Sequence, residues 1–386
     1  MEIVGRHYAT NAAIRVRIDG EHIGSIDPVD ATPTEDLPLI APGLFDIQVN
    51  GYGGIWFCRD GLTVEDVVEV CTRLTARGIS RFLPTLITAS HAALKDAFRV
   101  LESARQAYPL VKDCVAGYHL EGPYICAEDG PRGAHPREHV RPADVNEFAQ
   151  LQQAAGGQIR LLTLAADSPG ASSLIRHCQQ TGVRTAIGHT AGTTEQIHAA
   201  VDAGATLSTH LGNGAHGQLP RHPNYLWDQL AEDRLWASVI ADGHHLPNSV
   251  LQCVLKCKGL RKTILTCDVS GFAGCAPGTY CEDNMKVDVL ADGRLVVSRQ
   301  SRFLAGSGAT TGDCVAHVMA SCGLSLPAAL QLATANPARF LGMSPMELKT
   351  GNLATLCVFR MLSGSGSKYA VFRPLMTYTN GRLLGV

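Results

Sequence analysis

The sequence predicts an α/β protein built as a (β/α)8 TIM barrel, with a small β-sandwich domain formed from both termini. From residue 42 onward, short β-rich runs alternate with stretches of helical periodicity, which is typical of repeated βα units around a parallel sheet. Eight such runs occur before residue 269, and both ends of the chain are β-rich. At 386 residues the chain is long enough for one large barrel with an appended domain.

The eight candidate barrel strands are rich in Val, Ile, Leu and Thr. Helical periodicity fills most of the intervals between them, as in residues 63–78 and 193–204. The second of these stretches begins with threonine caps and ends at a glycine. Residues 42–345 are therefore expected to form the barrel. The strands are predicted at 44–50, 79–87, 114–122, 159–167, 184–189, 205–210, 236–243 and 263–268.

The β-rich runs at the two ends are expected to pair with each other as the small β domain. Near the N-terminus two runs flank Asp19-Gly20, and near the C-terminus two runs flank Asn380-Gly381. Both dipeptides are typical of tight hairpin turns. The Ser-Gly stretch at 363–367 is expected to be a short flexible loop. The predicted limits of the β domain are 1–41 and 346–386.

Composition and charge restrict the class of partner. With 45% hydrophobic residues, 18% charged residues and a net charge of −2, the chain has no electrostatic feature that favours nucleic acid or an anionic membrane. The N-terminus lacks the pattern of a signal peptide, and no apolar run approaches the about 20 residues that span a bilayer. Thirteen cysteines without a CxxC pair indicate reduced thiols. We therefore expect a cytoplasmic protein with a small polar ligand.

Polar side chains follow four of the eight candidate strands. Glu121, His189, His210 and Asp268 come after the third, fifth, sixth and eighth strands. Because the carboxyl ends of barrel strands meet at one mouth, these side chains are expected to lie close together. One carboxylate and two imidazoles make a three-ligand metal site with a position left for water, and Asp268 is a candidate base beside it. The alternative is that each is a satisfied polar residue at a strand end, but four together favour a site.

Several segments carry a resemblance to a known family. The His-Leu-Glu-Gly-Pro segment within residues 119–125 is the most specific of them, and residues 332–342 also match. In their order and spacing the segments resemble the amidohydrolase superfamily, specifically its N-acetylglucosamine-6-phosphate deacetylases. The resemblance implies a TIM barrel of the metal-dependent hydrolase type. The other matching segments are 41–54, 187–190, 208–213, 241–245 and the Asp268 segment.

The resemblance also implies roles for individual residues. Glu121, His189 and His210 match the metal ligands of the family, Asp268 its catalytic aspartate, and His135 the histidine that contacts the acetamide carbonyl. The substrate-binding positions include His245, which in the family reaches across from the neighbouring subunit, so a homodimer with a shared active site is implied. The substrate-binding residues carried over are Arg221, His245, Asn213, Gly214 and Ala215.

The sequence departs from the family pattern in two places. Many amidohydrolases carry His-x-His at the end of the first strand, but here Gln48 and Asn50 occupy those positions, and amides are poor ligands for transition metals. These two residues are predicted to mark a vestigial first metal site, so one divalent ion is expected. Zinc is the preferred assignment, with Fe²⁺, Mn²⁺ and Co²⁺ as alternatives. Residues 211–224 replace the usual Asn-Ala-Met segment, which alters a loop that touches the substrate.

The predicted function is therefore metal-assisted removal of the acetyl group from an N-acetyl amino sugar, N-acetylglucosamine-6-phosphate, giving acetate and the amino sugar phosphate. The altered loop keeps open an unphosphorylated N-acetyl sugar, an N-acyl amino acid or a cyclic amide as substrate. A non-catalytic scaffold on the same fold is a third alternative. His119 lies two residues before Glu121 on the same strand face, where it either supports Glu121 or is a packed or surface histidine.

Overall fold

A computed structural model describes residues 1–30, 36–282, 285–298, 300–362 and 370–385. The predicted loop at 363–367 lies outside these residues. The strands of the described chain are β1 (Glu2–His7), β2 (Ala13–Asp19), β3 (His22–Pro28), β4 (Leu39–Pro42), β5 (Leu44–Val49), β6 (Gly51–Tyr52), β7 (Ile55–Trp56), β8 (Ile79–Leu86), β9 (Tyr118–Glu121), β10 (Ile159–Leu164), β11 (Arg184–Ile187), β12 (Leu207–Ser208), β13 (Trp236–Ile240), β14 (Thr263–Thr266), β15 (Gly278–Glu282), β16 (Met285–Val289), β17 (Leu295–Val297), β18 (Gln300–Leu304), β19 (Leu356–Leu362), β20 (Val371–Thr379) and β21 (Arg382–Gly385).

Helices occupy most of the intervals between the barrel strands and follow the last of them. Two of the barrel helices begin with capping boxes, in which Thr63 pairs with Asp66 and Thr193 with Gln196. The second of these helices ends at Gly204, which is left-handed at φ 119°. The helices are α1 (Val64–Thr75), α2 (His91–Ala107), α3 (Pro109–Cys114), α4 (Val145–Ala154), α5 (Ala171–Gln180), α6 (Thr194–Ala203), α7 (Tyr225–Ala231), α8 (Asn248–Lys262), α9 (Thr311–Cys322), α10 (Leu326–Leu332) and α11 (Ala335–Phe340).

The eight predicted barrel strands are confirmed as one parallel sheet in the order β5, β8, β9, β10, β11, β12, β13 and β14. Most are shorter than predicted. The third strand, for example, was expected over 114–122 but begins at Tyr118, because Cys114 is the last residue of helix α3 and Val115 makes only an isolated bridge to Phe82. The carboxyl ends of the strands therefore lie where the sequence placed them, next to the predicted polar residues.

The buried carboxylate of Asp46 joins the first barrel strand to the last. Asp46 on β5 is fully buried and accepts hydrogen bonds from four donors, one on β5 itself and three around the end of β14 and the start of α9. A backbone bond from Asn50 to the Val269 carbonyl, at 3.0 Å, continues the same seam. Asp46 thus fixes the register between the two strands that close the barrel. The four donors are Gln48 N at 3.0 Å, Thr266 Oγ1 at 2.6 Å, Cys267 N at 2.8 Å and Thr311 Oγ1 at 2.7 Å.

The strands from the two termini form one mixed sheet of seven strands in the order β21, β20, β19, β4, β1, β2 and β3. The junction between the two ends of the chain is the antiparallel pairing of β19 with β4. Tight turns at Gly20 and at Asn380-Gly381, all left-handed, join β2 to β3 and β20 to β21 as the sequence predicts.

An antiparallel sheet of four strands, β15 to β18, is inserted between β14 and α9 and was not predicted. It packs through an apolar cluster against the segments that follow β5 and β14. The cluster includes Trp56, Phe272, Val287 and Leu295, and the Trp56 and Phe272 rings meet edge to face at 5.7 Å. The insertion therefore borders the mouth of the barrel at the seam closed by Asp46.

Two further features concern the described residues as a whole. None of their helices is both long enough and apolar enough to cross a membrane. No disulfide forms among the thirteen cysteines, all of which lie in the described part of the chain.

Replacing Asp46 with Asn should lower the free energy of unfolding by about 3–5 kcal/mol. The asparagine NH₂ group would face N–H and O–H donors whose hydrogen bonds the carboxylate accepts. Urea denaturation followed by fluorescence would measure the loss. Asp27→Asn, at an exposed position on β3, is the matched control and should change the midpoint little. Equal small effects of both substitutions would contradict the role of Asp46 in closing the barrel.

Candidate active site

Glu121, His189 and His210 converge at the mouth of the barrel. Oε1 of Glu121 lies 3.2 Å from Nε2 of His189 and 2.9 Å from Nε2 of His210, and the two histidine nitrogens are 3.1 Å apart. All three side chains are buried. The structure thus brings together the three residues that the sequence predicts as metal ligands.

The chemistry of these three atoms fits a cation. Nδ1 of His189 faces the Pro131 carbonyl at 2.8 Å, and since a carbonyl only accepts, Nδ1 carries the hydrogen and Nε2 has a lone pair. That lone pair points at a carboxylate oxygen and a second imidazole nitrogen. Nδ1 of His210 is buried without a hydrogen-bond partner among the described residues. Such an electron-rich group repels itself unless a proton or a divalent ion lies between its atoms.

The pKa shifts of Glu121 and His210 also indicate that this group of side chains favours a positive charge. Burial alone would raise the pKa of Glu121, but when the His189 and His210 rings are protonated in the absence of a cation, their hydrogen bonds to Glu121 outweigh burial and hold that pKa well below its usual range. Burial would lower the pKa of His210, but the hydrogen bond to Glu121 raises it overall. Glu121 therefore stays ionised and attracts a cation to this position.

The backbone is strained at three of the site residues. His189, His210 and Asp268 have φ values of 50°, 30° and 50°, in the left-handed region that side chains with a β carbon rarely adopt. Each follows the end of a barrel strand, so the turn directs its side chain into the mouth. Strain of this kind persists only where the surrounding structure enforces it, and it is concentrated at functional sites.

Asp268 lies beside this group and is held by two amides. Its Oδ1 accepts hydrogen bonds from Gln48 Nε2 at 3.0 Å and from Asn50 Nδ2 at 2.8 Å. Gln48 Nε2 also lies 2.9 Å from Oε1 of Glu121, so one amide bridges both carboxylates. Burial, and after it the charge of Glu121, raises the pKa of Asp268 to about 6. A carboxyl group with this pKa can exchange a proton near neutral pH.

His135 also faces this group, with its ring 4.3 Å from that of His189. Its Nδ1 lies 2.8 Å from the Thr88 hydroxyl and 3.4 Å from the Thr88 backbone N–H, which can only donate. Nδ1 is therefore the acceptor, and the hydrogen lies on Nε2, 3.9 Å from Oε2 of Glu121. Burial lowers the pKa of His135 to about 3, so the ring is a neutral donor. The sequence analysis missed Thr88, although it lies two residues beyond the end of β8.

Two of the predicted substrate-binding residues, Arg221 and His245, differ in how far their side chains are exposed. Arg221 is exposed and makes no hydrogen bond or ion pair within the described residues. His245 is buried instead, with 3% of its side chain exposed and its Nδ1 2.7 Å from Asp242. Asp242 thus orients the ring through Nδ1, and the reach of His245 into a neighbouring subunit stays a prediction. Burial would raise the pKa of Asp242, but the hydrogen bonds from His245 and nearby backbone lower it.

The altered loop at 211–224 packs directly on the metal-ligand group. The Asn213 N–H donates to the His210 carbonyl at 2.8 Å, and a β carbon at Gly214 would lie 2.9 Å from Nδ1 of His189. Gly214 is also left-handed at φ 57°, so both space and backbone require glycine there. Ala215, the next residue, is half-buried. Two of the predicted substrate-binding residues, Asn213 and Gly214, thus lie against the histidines rather than apart from them.

His119 is packed in the barrel interior beneath Glu121. It is fully buried, with Nε2 2.8 Å from the Thr163 hydroxyl and Nδ1 3.1 Å from the Ile47 carbonyl. Burial lowers its pKa to about 4. Of the two interpretations left open by the sequence, the structure favours a satisfied interior histidine that supports the strand carrying Glu121.

Comparisons with known proteins agree with this fold. The model of the amidohydrolase family matches residues 39–383. An N-acetylgalactosamine-6-phosphate deacetylase of Escherichia coli O157:H7 is 32% identical over 349 residues, 89% of each chain. An N-acetylglucosamine-6-phosphate deacetylase of Bos taurus is 31% identical over 82% of this chain and 76% of its own.

A solved structure is similar along the whole chain. It is a mutant N-acetyl-D-glucosamine-6-phosphate deacetylase of Mycobacterium smegmatis in complex with N-acetyl-D-glucosamine-6-phosphate. It has a TM-score of 0.85 and 25% sequence identity, with 100% of both chains covered. The chain therefore belongs to the amidohydrolase family, in the branch of the N-acetylglucosamine-6-phosphate deacetylases, and is a metal-dependent enzyme that hydrolyses an amide bond.

Proposed function

We propose that this enzyme removes the acetyl group from a 6-phosphorylated N-acetyl amino sugar, N-acetylglucosamine-6-phosphate, and releases acetate and the amino sugar phosphate. The observation that carries the proposal is the group of Glu121, His189 and His210 with the Asp268 carboxylate beside it. Relatives that are deacetylases of N-acetylgalactosamine-6-phosphate or N-acetylglucosamine-6-phosphate match most of the chain at about 30% identity.

One divalent ion, assigned as zinc, is held in this proposal by Glu121, His189 and His210. Imidazole and carboxylate are ligands that suit zinc, with Fe²⁺, Mn²⁺ and Co²⁺ as the alternatives. When bound, such an ion polarises the amide carbonyl and makes water more acidic. The Pro131 carbonyl fixes the tautomer of His189 so that Nε2 remains available as a ligand.

The amides of Gln48 and Asn50 support a single metal site. In a two-metal site a second cation would lie between the carboxylates, but here Gln48 Nε2 occupies that position, 2.9 Å from Glu121 and 3.0 Å from Asp268. Two N–H groups of one amide can satisfy both carboxylates without a second charge. We therefore keep the assignment of Gln48 and Asn50 as a vestigial first metal site.

Asp268 is assigned as the base. It takes a proton from the attacking water and returns a proton to the amine that leaves, for which a pKa raised to about 6 by burial and by Glu121 is suited. The neutral His135 donates its Nε2–H to the oxygen of the acetamide carbonyl as negative charge develops there, a contribution of about 3–4 kcal/mol for one such donor.

Substrate recognition is assigned to Arg221, His245 and the loop residues Asn213, Gly214 and Ala215. Arg221 is exposed and without a partner in the described chain, so its guanidinium is available for a phosphate. A substrate phosphate is the preferred target. The loop at 211–224 departs from the family pattern, and this departure favours one second candidate, an unphosphorylated N-acetyl sugar. Such a substrate would bind without a contact to Arg221.

We also propose a cytoplasmic homodimer in which the neighbouring subunit completes each site. The absence of a disulfide among the described residues supports a reducing compartment. His245, whose Nδ1 lies 2.7 Å from Asp242, is assigned as the residue that reaches the neighbouring site, where it would bind the phosphate with Arg221. Sedimentation of the wild type would give the oligomeric state directly.

Purified protein should retain one equivalent of divalent metal per chain after dialysis. His210→Ala should reduce that amount to near zero, because it removes one of three ligands. Elemental analysis gives both values, with His198→Ala on the exposed face of α6 as the matched control. Two retained equivalents would contradict the single site, and activity unaffected by a chelator would contradict the metal requirement.

Asp268→Asn should lower kcat by about 10²- to 10⁴-fold with metal still bound, because it removes the base and keeps the shape. The raised pKa of Asp268 also sets the sign of the pH dependence. Only the ionised form accepts a proton, so wild-type kcat/KM should fall with decreasing pH through a pKa of about 6, or lower when the cation is bound. Stopped assays across a buffer series would measure it. Near-normal turnover of Asp268→Asn would assign the base elsewhere.

Arg221→Ala should lower kcat/KM about ten- to a hundredfold for the 6-phosphates of N-acetylglucosamine and N-acetylgalactosamine, because a charge-assisted contact is lost. The loss should disappear for the unphosphorylated sugars. Acetate release would be measured for all four compounds, with Arg176→Ala on the exposed face of α5 as the control. If the wild type hydrolyses both classes equally well and Arg221→Ala changes neither, the phosphate assignment is wrong.

A further inference from the structure

Gln48 and Asn50, here called the amide pair, direct both of their N–H groups to the same oxygen of Asp268. Oδ1 lies 3.0 Å from Gln48 Nε2 and 2.8 Å from Asn50 Nδ2. Oδ2 accepts no hydrogen bond within the described part of the chain. The two oxygens of this carboxylate are therefore unequal before any substrate binds.

The orientation of Asn50 is imposed by Asp268. A carboxylate only accepts, so the Nδ2 end of the amide has to face it. The consequence is that Oδ1 of Asn50 is buried without a hydrogen-bond partner among the described residues. A buried acceptor left without a partner costs free energy and calls for a functional explanation. Asn50 thus donates to the Asp268 carboxylate while its own Oδ1 stays without a hydrogen bond among the described residues.

Asp46, the carboxylate at the barrel seam, holds the backbone on both sides of the contact between the amide pair and Asp268. It accepts the backbone N–H of Gln48 at 3.0 Å and that of Cys267, the residue before Asp268, at 2.8 Å. The backbone that carries the amide pair and the backbone that carries Asp268 are thus tied to one buried group. The hydrogen bonds to Oδ1 are preorganised by the barrel seam and do not depend on a mobile loop.

We propose that the amide pair positions Asp268 for proton transfer by occupying Oδ1, so that Oδ2 is the atom that moves the proton. This rests on the proposed function, in which Asp268 is the base. As the C–O bond forms, the O–H bond of water breaks and its proton goes to Oδ2. The proton then passes from Oδ2 to the amide nitrogen as the C–N bond breaks, and the carboxylate is restored. Gln48 and Asn50 are positioning residues, since they act through Asp268.

A double-mutant cycle between Asn50 and Asp268 tests the proposal. Asn50→Ala alone should lower kcat about ten- to a hundredfold with KM and metal content nearly unchanged, because one hydrogen bond to the carboxylate is lost. In the Asp268→Asn background the same substitution should change kcat by less than about twofold, since the atom it positions no longer accepts a proton. Asn50→Leu, of similar volume, should repeat this result if the alanine variant folds poorly.

Asn336→Ala is the matched control for a purely structural role. Asn336 is also fully buried, and its Nδ2 donates to the Leu260 and Thr263 carbonyls, both at 2.6 Å, at the far end of β14. This variant should lower the denaturation midpoint and leave kcat of the folded enzyme unchanged. The solvent deuterium isotope effect on kcat should rise in Asn50→Ala, where proton transfer is slowed, and stay at the wild-type value in Asn336→Ala.

Two outcomes would overturn the inference while the proposed function stands. Asn50→Ala could lower kcat by the same factor in both backgrounds, or it could behave like Asn336→Ala, with a lower midpoint and unchanged kcat. Either result would give the amide pair a structural role only. Near-normal turnover of Asp268→Asn itself would instead remove Asp268 as the base, and the proposed function would fail with it.

Discussion

The active site depends on the way the barrel closes at Asp46. This fully buried carboxylate binds donors from β5, from the end of β14 and from α9, and so sets the register between the first and last strands. The pairing of β5 is irregular between Asp46 and Val49, where the Gln48 backbone N–H donates to Asp46, and the side chains of Gln48 and Asn50 are directed at Asp268 from this irregular stretch. A shift of one residue at this seam would turn both amides away from Asp268. The seam thus contributes to the chemistry as well as to stability.

The second constraint is electrostatic and lies at the mouth of the barrel. Glu121, Asp268 and two imidazole lone pairs share a buried space in which like charges are strongly unfavourable. The protein relieves this repulsion in two ways. On one side Gln48 offers an N–H group to each carboxylate, and on the other side Glu121, His189 and His210 leave a position that suits a cation. The amide and a cation bound at this position would together satisfy both buried carboxylates.

The sequence predicted the barrel and much of the site because these depend on local patterns. Apolar runs of strand length and capped helices located all eight barrel strands, and residues at strand ends identified Glu121, His189, His210 and Asp268. Contacts between distant segments were not predictable in this way. Thr88 and the Pro131 carbonyl act through atoms that carry no sequence pattern, and the four strands of the insertion lack the βα alternation. The contact of His245 with Asp242 was likewise not predicted.

The geometry of His189 joins the metal-ligand group to the substrate loops. Its backbone is left-handed, its Nδ1 donates to Pro131 in the loop after β9, and Gly214 in the altered loop approaches its ring without room for a β carbon. Any change in either loop that moves Pro131 or Gly214 therefore also moves a ligand of the metal site. The loop at 211–224 could diverge from the family pattern only in ways that keep glycine against this ring. Substrate preference and metal geometry are for this reason coupled through one histidine.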